Sequence, residues 1–433
     1  MLDKAQNMVV AYDNESYTQQ SAAMALFGAL PFKGRLPVAT GRYKVNAGVN
    51  TAYLGRLKFS IPEEVGIASA RLTRIDSIAD QCIKMQAAPG CQILVAKDGK
   101  VIWDKSYGYT KYDKKEKIAH DNIYDLASVT KICATTLALM QLYDRGKFNA
   151  EKSVSDYLPD TQGFVIGGLK MQDVLTHQAG LVAWIPFYKK TLNADQTLNA
   201  LYYNQSKIPG FEVQVADNVF MRTDYMDTMW QIIKTTPLKQ PGKYVYSDLG
   251  MFIARRVIER IANATLDAYV QVNFYNKLGL RHTGFNPLQF ADRKKIVPTE
   301  DDNYFRYQLV HGYVHDMGAA MMNGVEGHAG LFSNAEDVAI ILQMLLNGGT
   351  YGGETFFSRE TVEKFTAKQS SVSRRGLGFD KPDKNPGNSS PASSYASGKT
   401  YGHLGFTGIC AWVDPQYNLI YIFLSNRVYP KSD

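Results

Sequence analysis

Ile132 to Leu142 is apolar on nearly every side of a helix (Ile132, Cys133, Ala134, Leu137, Leu139, Met140, Leu142), so the fold must bury this helix near its centre. The run follows Ser128-Val129-Thr130-Lys131 and is closed by Arg145-Gly146. A serine at a helix start with a lysine three residues on places both side chains on one face, one turn apart. The amine can then take the hydroxyl proton. Ser128 is therefore a candidate nucleophile, and Lys131, with its pKa lowered by desolvation, a candidate base. The same pattern also fits a helix-capping serine beside an ordinary lysine. The rest of the chain has to separate the two.

With 433 residues the chain has room for two or three domains, or for one large composite domain and a fragment. Its formal charge of +7 is spread without blocks of like charge, which reads as a solvated basic surface and excludes a nucleic-acid footprint. Cys82, Cys91, Cys133 and Cys410 show neither C-x-x-C nor metal spacing, so no zinc site or disulfide framework is expected. No apolar stretch is long enough for a membrane span, and no leader segment is evident. H-E-x-x-H, a Walker loop and G-x-G-x-x-G before a helix are all missing, so no metal, nucleotide or dinucleotide cofactor is expected.

The first 45 residues read as three short elements: a strand at Val9 to Tyr12, a helix at Gln19 to Leu30 and a strand at Gly34 to Val38. These are too few to bury a core of their own. A glycine-containing polar linker covers 46–59, and the main domain covers 60–433. Leu72, Ile75, Ile78, Ala79 and Ile83 have helical spacing, and Pro89-Gly90 ends that element. A hairpin follows, Cys91 to Ala96 and Val101 to Tyr109, turning at Lys97-Asp98-Gly99-Lys100. A helix begins at Met171 to Leu175. Residues 182–235 are rich in aromatics that either roof a pocket or hold a small helical subdomain together. Lys381 to Gly398 reads as a mobile loop. Strands at Ile409 to Val413 and Leu419 to Leu424 close the chain. Strands first, helices in the middle and strands again predict an α+β fold: one antiparallel sheet flanked by helices, plus a helical subdomain.

Two further stretches bear on Ser128. Pro241-Gly242-Lys243-Tyr244-Val245-Tyr246-Ser247-Asp248-Leu249-Gly250 puts a tyrosine and an acid two residues apart before a helix from Met251 to Ile261. Tyr401-Gly402-His403-Leu404-Gly405-Phe406-Thr407-Gly408 is glycine-rich, as where a strand passes close to a ligand. With S-x-x-K, these resemble the three-motif set of serine β-lactamases and penicillin-binding proteins. Leu175-Thr176-His177-Gln178-Ala179-Gly180-Leu181 and Gly327-His328-Ala329-Gly330-Leu331-Phe332-Ser333 extend the resemblance to the class C β-lactamase-like group, over about residues 60 to 430. Residues 23 to 38 separately resemble the end of family 3 glycoside hydrolases, which makes 1–45 a remnant of such a domain, from a β-N-acetylglucosaminidase-type fusion. The sugar-cleaving barrel itself is not in this sequence.

The class C-like resemblance implies a β-lactamase/transpeptidase-like fold, a cofactor-independent acyl-enzyme mechanism and a periplasmic or extracellular setting. Ser128 attacks a carbonyl. Lys131 and Tyr246 share the proton movements, with the Tyr246 pKa brought down by the Lys131 ammonium. The backbone N–H groups of Ser128 and Phe406 form the oxyanion hole, and Asp248, His403, Gly405 and Thr407 contact substrate. There are two departures from the group. Asp248 replaces the usual asparagine and is placed either to meet substrate or to hold Lys131. His403 replaces a lysine and is mostly neutral near pH 7, or is a strand histidine satisfied by its neighbours. Both favour an esterase, amidase or D-amino-acid peptidase over penicillin hydrolysis. The expected partner is a small-molecule or peptide substrate, including cell-wall peptides, with a parent glycosidase domain in the full-length protein. The alternative is a non-catalytic ligand-binding module attached to that glycosidase. His177, His315-Asp316 and His328 are read as structural. The group usually follows its last strand with a helix, whereas this sequence ends at Pro430-Lys431-Ser432-Asp433, so either the helix is dispensable or the sequence is cut.

Overall fold

The computed structural model describes residues 6–385 and 387–432. Both ends of the chain build one six-stranded sheet. The first end gives β1 (Lys58–Phe59), β2 (Gly90–Lys97) and β3 (Lys100–Gly108); the last gives β4 (Tyr401–Gly405), β5 (Ile409–Asp414) and β6 (Leu419–Ser425). The order across the sheet is β1-β3-β2-β6-β5-β4. All neighbours are antiparallel except β1, which runs parallel to β3 and so corrects the expectation of a wholly antiparallel sheet. Parallel pairing needs a long connection, and here a helix and all of β2 lie between the two strands. The β2–β3 hairpin turns where expected. Asp98 and Gly99 both have positive φ, 52° and 73°, as a tight two-residue turn requires.

Alternation along β2 divides the core. Leu94 and Ala96 face the main interior; Ile93 and Val95 face the opposite side, where α1 (Ser69–Lys84) brings Leu72, Ile75 and Ala79. The run predicted as a single helix starts irregularly. A 3₁₀ turn at Ala127–Val129 passes into a widened π turn at Lys131–Thr135 and then α2 (Thr136–Asp144). Ile132, Cys133, Ala134, Leu137 and Leu139 are wholly buried, so the prediction of a central helix holds. α3 (Leu249–Ala262) packs on this unit, and α4 (Ala335–Leu346) covers the inner face of β2, β5 and β6.

The middle region departs from a purely helical subdomain. Residues 182–235 include a three-stranded sheet (Tyr203–Asn204, Val213–Ala216, Val219–Met221) beside the helix Tyr225–Thr235. Its aromatics pack on one another and on rings outside the region, Phe187 on Phe252 and both Tyr188 and Tyr203 on Phe305, and none lines the cleft beside Ser128. The N-terminal helix forms at Ser16–Leu26 and buries none of its residues. The strands expected at Val9 to Tyr12 and Gly34 to Val38 are not formed, because neither segment finds a partner strand. Instead the arm folds back on itself, with Leu54 N–H donating to Gly28 O and Thr51 N–H to Phe32 O. The stretch from 381 to 398 is irregular and pinned at its ends: Lys381 Nζ donates to Thr366 O and Thr400 O, and Ser397 Oγ to Asp414. Pro386 and Asp433 lie outside the described residues. No helix among the described residues is long and apolar enough to cross a membrane.

Candidate active site

Ser128 sits on a turn held from several sides. Ala127, just before it, has φ +44°, a left-handed conformation that costs a residue with a Cβ about 1–3 kcal/mol. Asp125 compensates: its Oδ1 accepts from Ala127 N–H at 2.8 Å and its Oδ2 from His315 N–H at 2.7 Å. Thr407 Oγ1 donates to Asp125 O at 2.7 Å and is buried, so Thr407 serves the turn and its hydroxyl is not available to substrate, correcting that expectation. Gly405 is required by close approach. A Cβ there would lie 2.6 Å from Leu126 O, so β4 runs directly against the nucleophile turn.

The three expected catalytic side chains converge. Ser128 Oγ accepts from Lys131 Nζ at 2.8 Å and from Tyr246 OH at 2.9 Å. Lys131 Nζ also donates to Asp248 Oδ1 at 2.7 Å and His328 O at 3.2 Å, which uses all three ammonium donors. Asp248, expected either at substrate or at Lys131, is at Lys131. This reverses the predicted pKa shift. Burial pushes the wholly buried Lys131 down, but the Asp248 carboxylate and Tyr246 outweigh it and hold the ammonium above its ordinary 10.5. Tyr246 is likewise not brought down: burial outweighs the pull of Lys131 and keeps the phenol above 10. Each group thus keeps its proton at neutral pH.

The segment carrying Tyr246 and Asp248 is zipped onto residues 176–183. Gly242, Val245 and Asp248 donate their N–H groups to Gln178 O, His177 O and Ala183 O, and Ser247 Oγ donates to Val182 O. His403 on β4 is buried. Its Nε2 accepts from Arg375 Nη1 at 3.0 Å, so the proton lies on Nδ1, which donates to Leu404 O. Burial and the Arg375 charge push His403 down to about 3. It is therefore a neutral strand histidine satisfied by its neighbours and not a cationic anchor. Arg375 also binds Asp380, which Arg374 grips with two further bonds.

Ser128, Tyr244, Tyr246, Arg374, Arg375, His403, Gly405, Phe406 and Arg427 line one open cleft of about 730 Å³. The N–H groups of Ser128 and Phe406 find no acceptor among the described residues. The Phe406 ring stacks on His315, with the Arg427 guanidinium over it at 5.2 Å. His315, read from the sequence as structural, pairs with Glu300, and His328, read likewise, pairs with Asp316 while its carbonyl accepts from Lys131. Sequence reasoning missed Arg374, Arg375 and Tyr244. The adjacent arginines ahead of the glycine-rich stretch were the one visible signal, and no periodicity marks them. Outside the cleft, Asp104, His120 and Glu336 bring potential ligand atoms within 4.8 Å of one another.

Residues 75–433 match the beta-lactamase family model. A Salmonella agona protein, provisionally named D-alanyl-D-alanine carboxypeptidase, is 35% identical over 396 residues, 84% of this chain and 85% of its own length. Among solved structures, a penicillin-binding protein homologue from Caulobacter crescentus superposes with a TM-score of 0.60 at 17% identity, over 83% of this chain and 93% of its own. A class C beta-lactamase from Rhodobacter sphaeroides gives 0.58 at 17% identity, over 83% and 95%. Both share the fold.

Proposed function

The chain belongs to the beta-lactamase family and is a serine hydrolase of the β-lactamase/D,D-peptidase type, and from that premise we propose that it cleaves the C-terminal residue from D-amino-acid peptides of the cell-wall kind through a Ser128 acyl-enzyme. One observation carries this reading: Ser128 Oγ receives hydrogen bonds from both Lys131 and Tyr246, at a cleft whose walls bear Arg374, Arg375 and Arg427 against the single carboxylate Asp380. A net positive cleft suits a substrate that ends in a free carboxylate.

In the proposed mechanism the Ser128 oxygen attacks the scissile carbonyl. Lys131 first hands a proton to Asp248, the acceptor 2.7 Å away, and the neutral amine so formed takes the Ser128 proton. The oxyanion is held by the N–H groups of Ser128 and Phe406. As the C–N bond breaks, Tyr246 gives its phenol proton to the departing amine; a phenol kept above pKa 10 is suited to act as the acid. Asp248 then returns its proton through Lys131 to Tyr246. Water repeats the sequence in reverse on the acyl-enzyme.

A cell-wall substrate places the enzyme in the periplasm or outside the cell. We further propose that residues 1–45 are the remnant of a glycoside hydrolase family 3 domain, joined by 46–59; a helix that buries none of its residues is consistent with a segment foreign to this core.

The test is release of the terminal residue from an N-acylated D-Ala-D-Ala peptide, its D-Ala-L-Ala isomer and its C-terminal amide. The proposal expects hydrolysis of the first well above the other two. Equal rates on all three, or hydrolysis of simple esters alone, would replace it with a general esterase.

A further inference from the structure

His177 brackets Tyr246. Its backbone carbonyl accepts from Val245 N–H at 2.9 Å, and its ring Nδ1 accepts from Ser247 N–H at 3.1 Å. The two N–H groups on either side of the catalytic tyrosine are thus both held by one residue. Between them the His177 ring lies against the Tyr246 ring, centroids 4.7 Å apart and planes 40° from each other. The Arg375 guanidinium stands 5.0 Å from the centre of the same ring and the Lys131 ammonium 5.1 Å from it.

The backbone of His177 is committed to this arrangement. It has φ +58°, a left-handed conformation uncommon outside glycine that asparagine, aspartate and histidine take more often than other residues, and it is buried. With Nδ1 accepting, the proton lies on Nε2, which has no partner among the described residues. Burial, Arg375 and Lys131 all oppose a second proton, so the ring is neutral and Nδ1 is a permanent acceptor. A buried polar atom without a partner and a strained backbone are both unfavourable. Each is tolerated here in exchange for a fixed tyrosine.

We infer that His177 is a positioning residue for the reaction: it sets the place and angle of the Tyr246 hydroxyl against Ser128 Oγ. The inference rests on the role given to Tyr246 above. A phenol that must both reach Ser128 at 2.9 Å and meet a leaving group tolerates little displacement, since an ångström of misplacement is worth up to about 100-fold in rate.

The test uses a chromogenic ester substrate and full-length His177→Gly, His177→Asn, Tyr246→Phe and His177→Gly/Tyr246→Phe. Glycine accepts the positive φ without strain but removes the ring and its acceptor; asparagine tolerates the same φ and restores an acceptor oxygen. His177→Gly is expected to lower kcat roughly 10- to 100-fold with KM within about twofold. His177→Asn should recover most of that loss. In the Tyr246→Phe background the glycine substitution should cost less than about twofold, because a residue acting through Tyr246 has nothing left to position.

Full multiplication of the two single losses in the double variant would overturn the inference, as would native kcat in folded His177→Gly. Should His177→Gly fail to fold, the asparagine variant decides. A loss of about 100-fold in folded His177→Asn would remove the acceptor role, and near-native kcat supports it. A Tyr246→Phe enzyme with native activity would instead bring down the catalytic reading of Tyr246, an outcome distinct from either.

Discussion

Lys131 and Asp248 are joined at 2.7 Å, with the lysine wholly buried, and this contact decides the charge state of the site. Without Asp248, burial would press toward a neutral amine with only Tyr246 against it. With it, the ammonium is held above its ordinary value, and Ser128 meets a donor in the resting enzyme.

Asp248→Asn therefore changes both stability and mechanism. Leaving a buried charge unpaired costs about 3–5 kcal/mol, measured as a loss of unfolding free energy in urea. In the native protein the raised lysine pKa gives stability that is fully present below 10.5 and lost only as pH rises through the folded value. In the variant, burial is opposed by Tyr246 alone, and the sign is expected to reverse: stability improves as pH is raised toward 10.5. An unchanged pH slope would show that the pair does not set the lysine charge.

His403 supplies a second pH dependence, of opposite sign. Its folded pKa, near 3 against an ordinary 6.5, means that its contribution is present above 6.5 and is lost as pH falls. Comparison of native protein with His403→Gln isolates this contribution. The native advantage should shrink by about 2 kcal/mol between about pH 7.5 and pH 5. A gap that stays constant would mean that His403 titrates normally in the fold.

Arg375→Lys keeps the charge beside His403 but loses the planar fork that engages Asp380, His403 and Tyr244 together. For a peptide ending in a free carboxylate, KM should rise on the order of tenfold, and for the corresponding amide it should change little. Equal effects on both would place Arg375 in the packing of the cleft and not in its charge.

Removal of residues 1–45 should leave kcat and KM within about twofold and shift Tm by no more than about 2 °C, since surface changes are usually small. The N-terminal helix buries none of its residues, and none of the segment's described residues lines the cleft. A large loss of activity would show that the segment belongs to the catalytic unit.

The sequence revealed the fold wherever hydrophobic period and turn chemistry agreed. The Asp98-Gly99 hairpin, α1 and the closing strands lie where period and turn residues put them. The convergence of Ser128, Lys131 and Tyr246 was legible because S-x-x-K and the tyrosine segment carry the chemistry proposed for them in local spacing. The effect of Asp248 on Lys131 was not: the two are 117 residues apart, and whether burial or the partner prevails is decided by a distance of 2.7 Å. Thr407 was misplaced for the same reason, since its hydroxyl turns toward Asp125, 282 residues earlier. Arg375 carries no pattern at all; its role appears only when the loop before β4 folds over Tyr246 and His403. The short strands of the middle region were hidden because their length gives no period to read.

The central claim is that Ser128 is an activated nucleophile, and intact mass after incubation with a fluorophosphonate tests it most directly. Native protein should gain one adduct, and Ser128→Ala should gain none under the same conditions. Unlabelled native protein with its fold intact, or equal labelling of the alanine variant, would contradict the account.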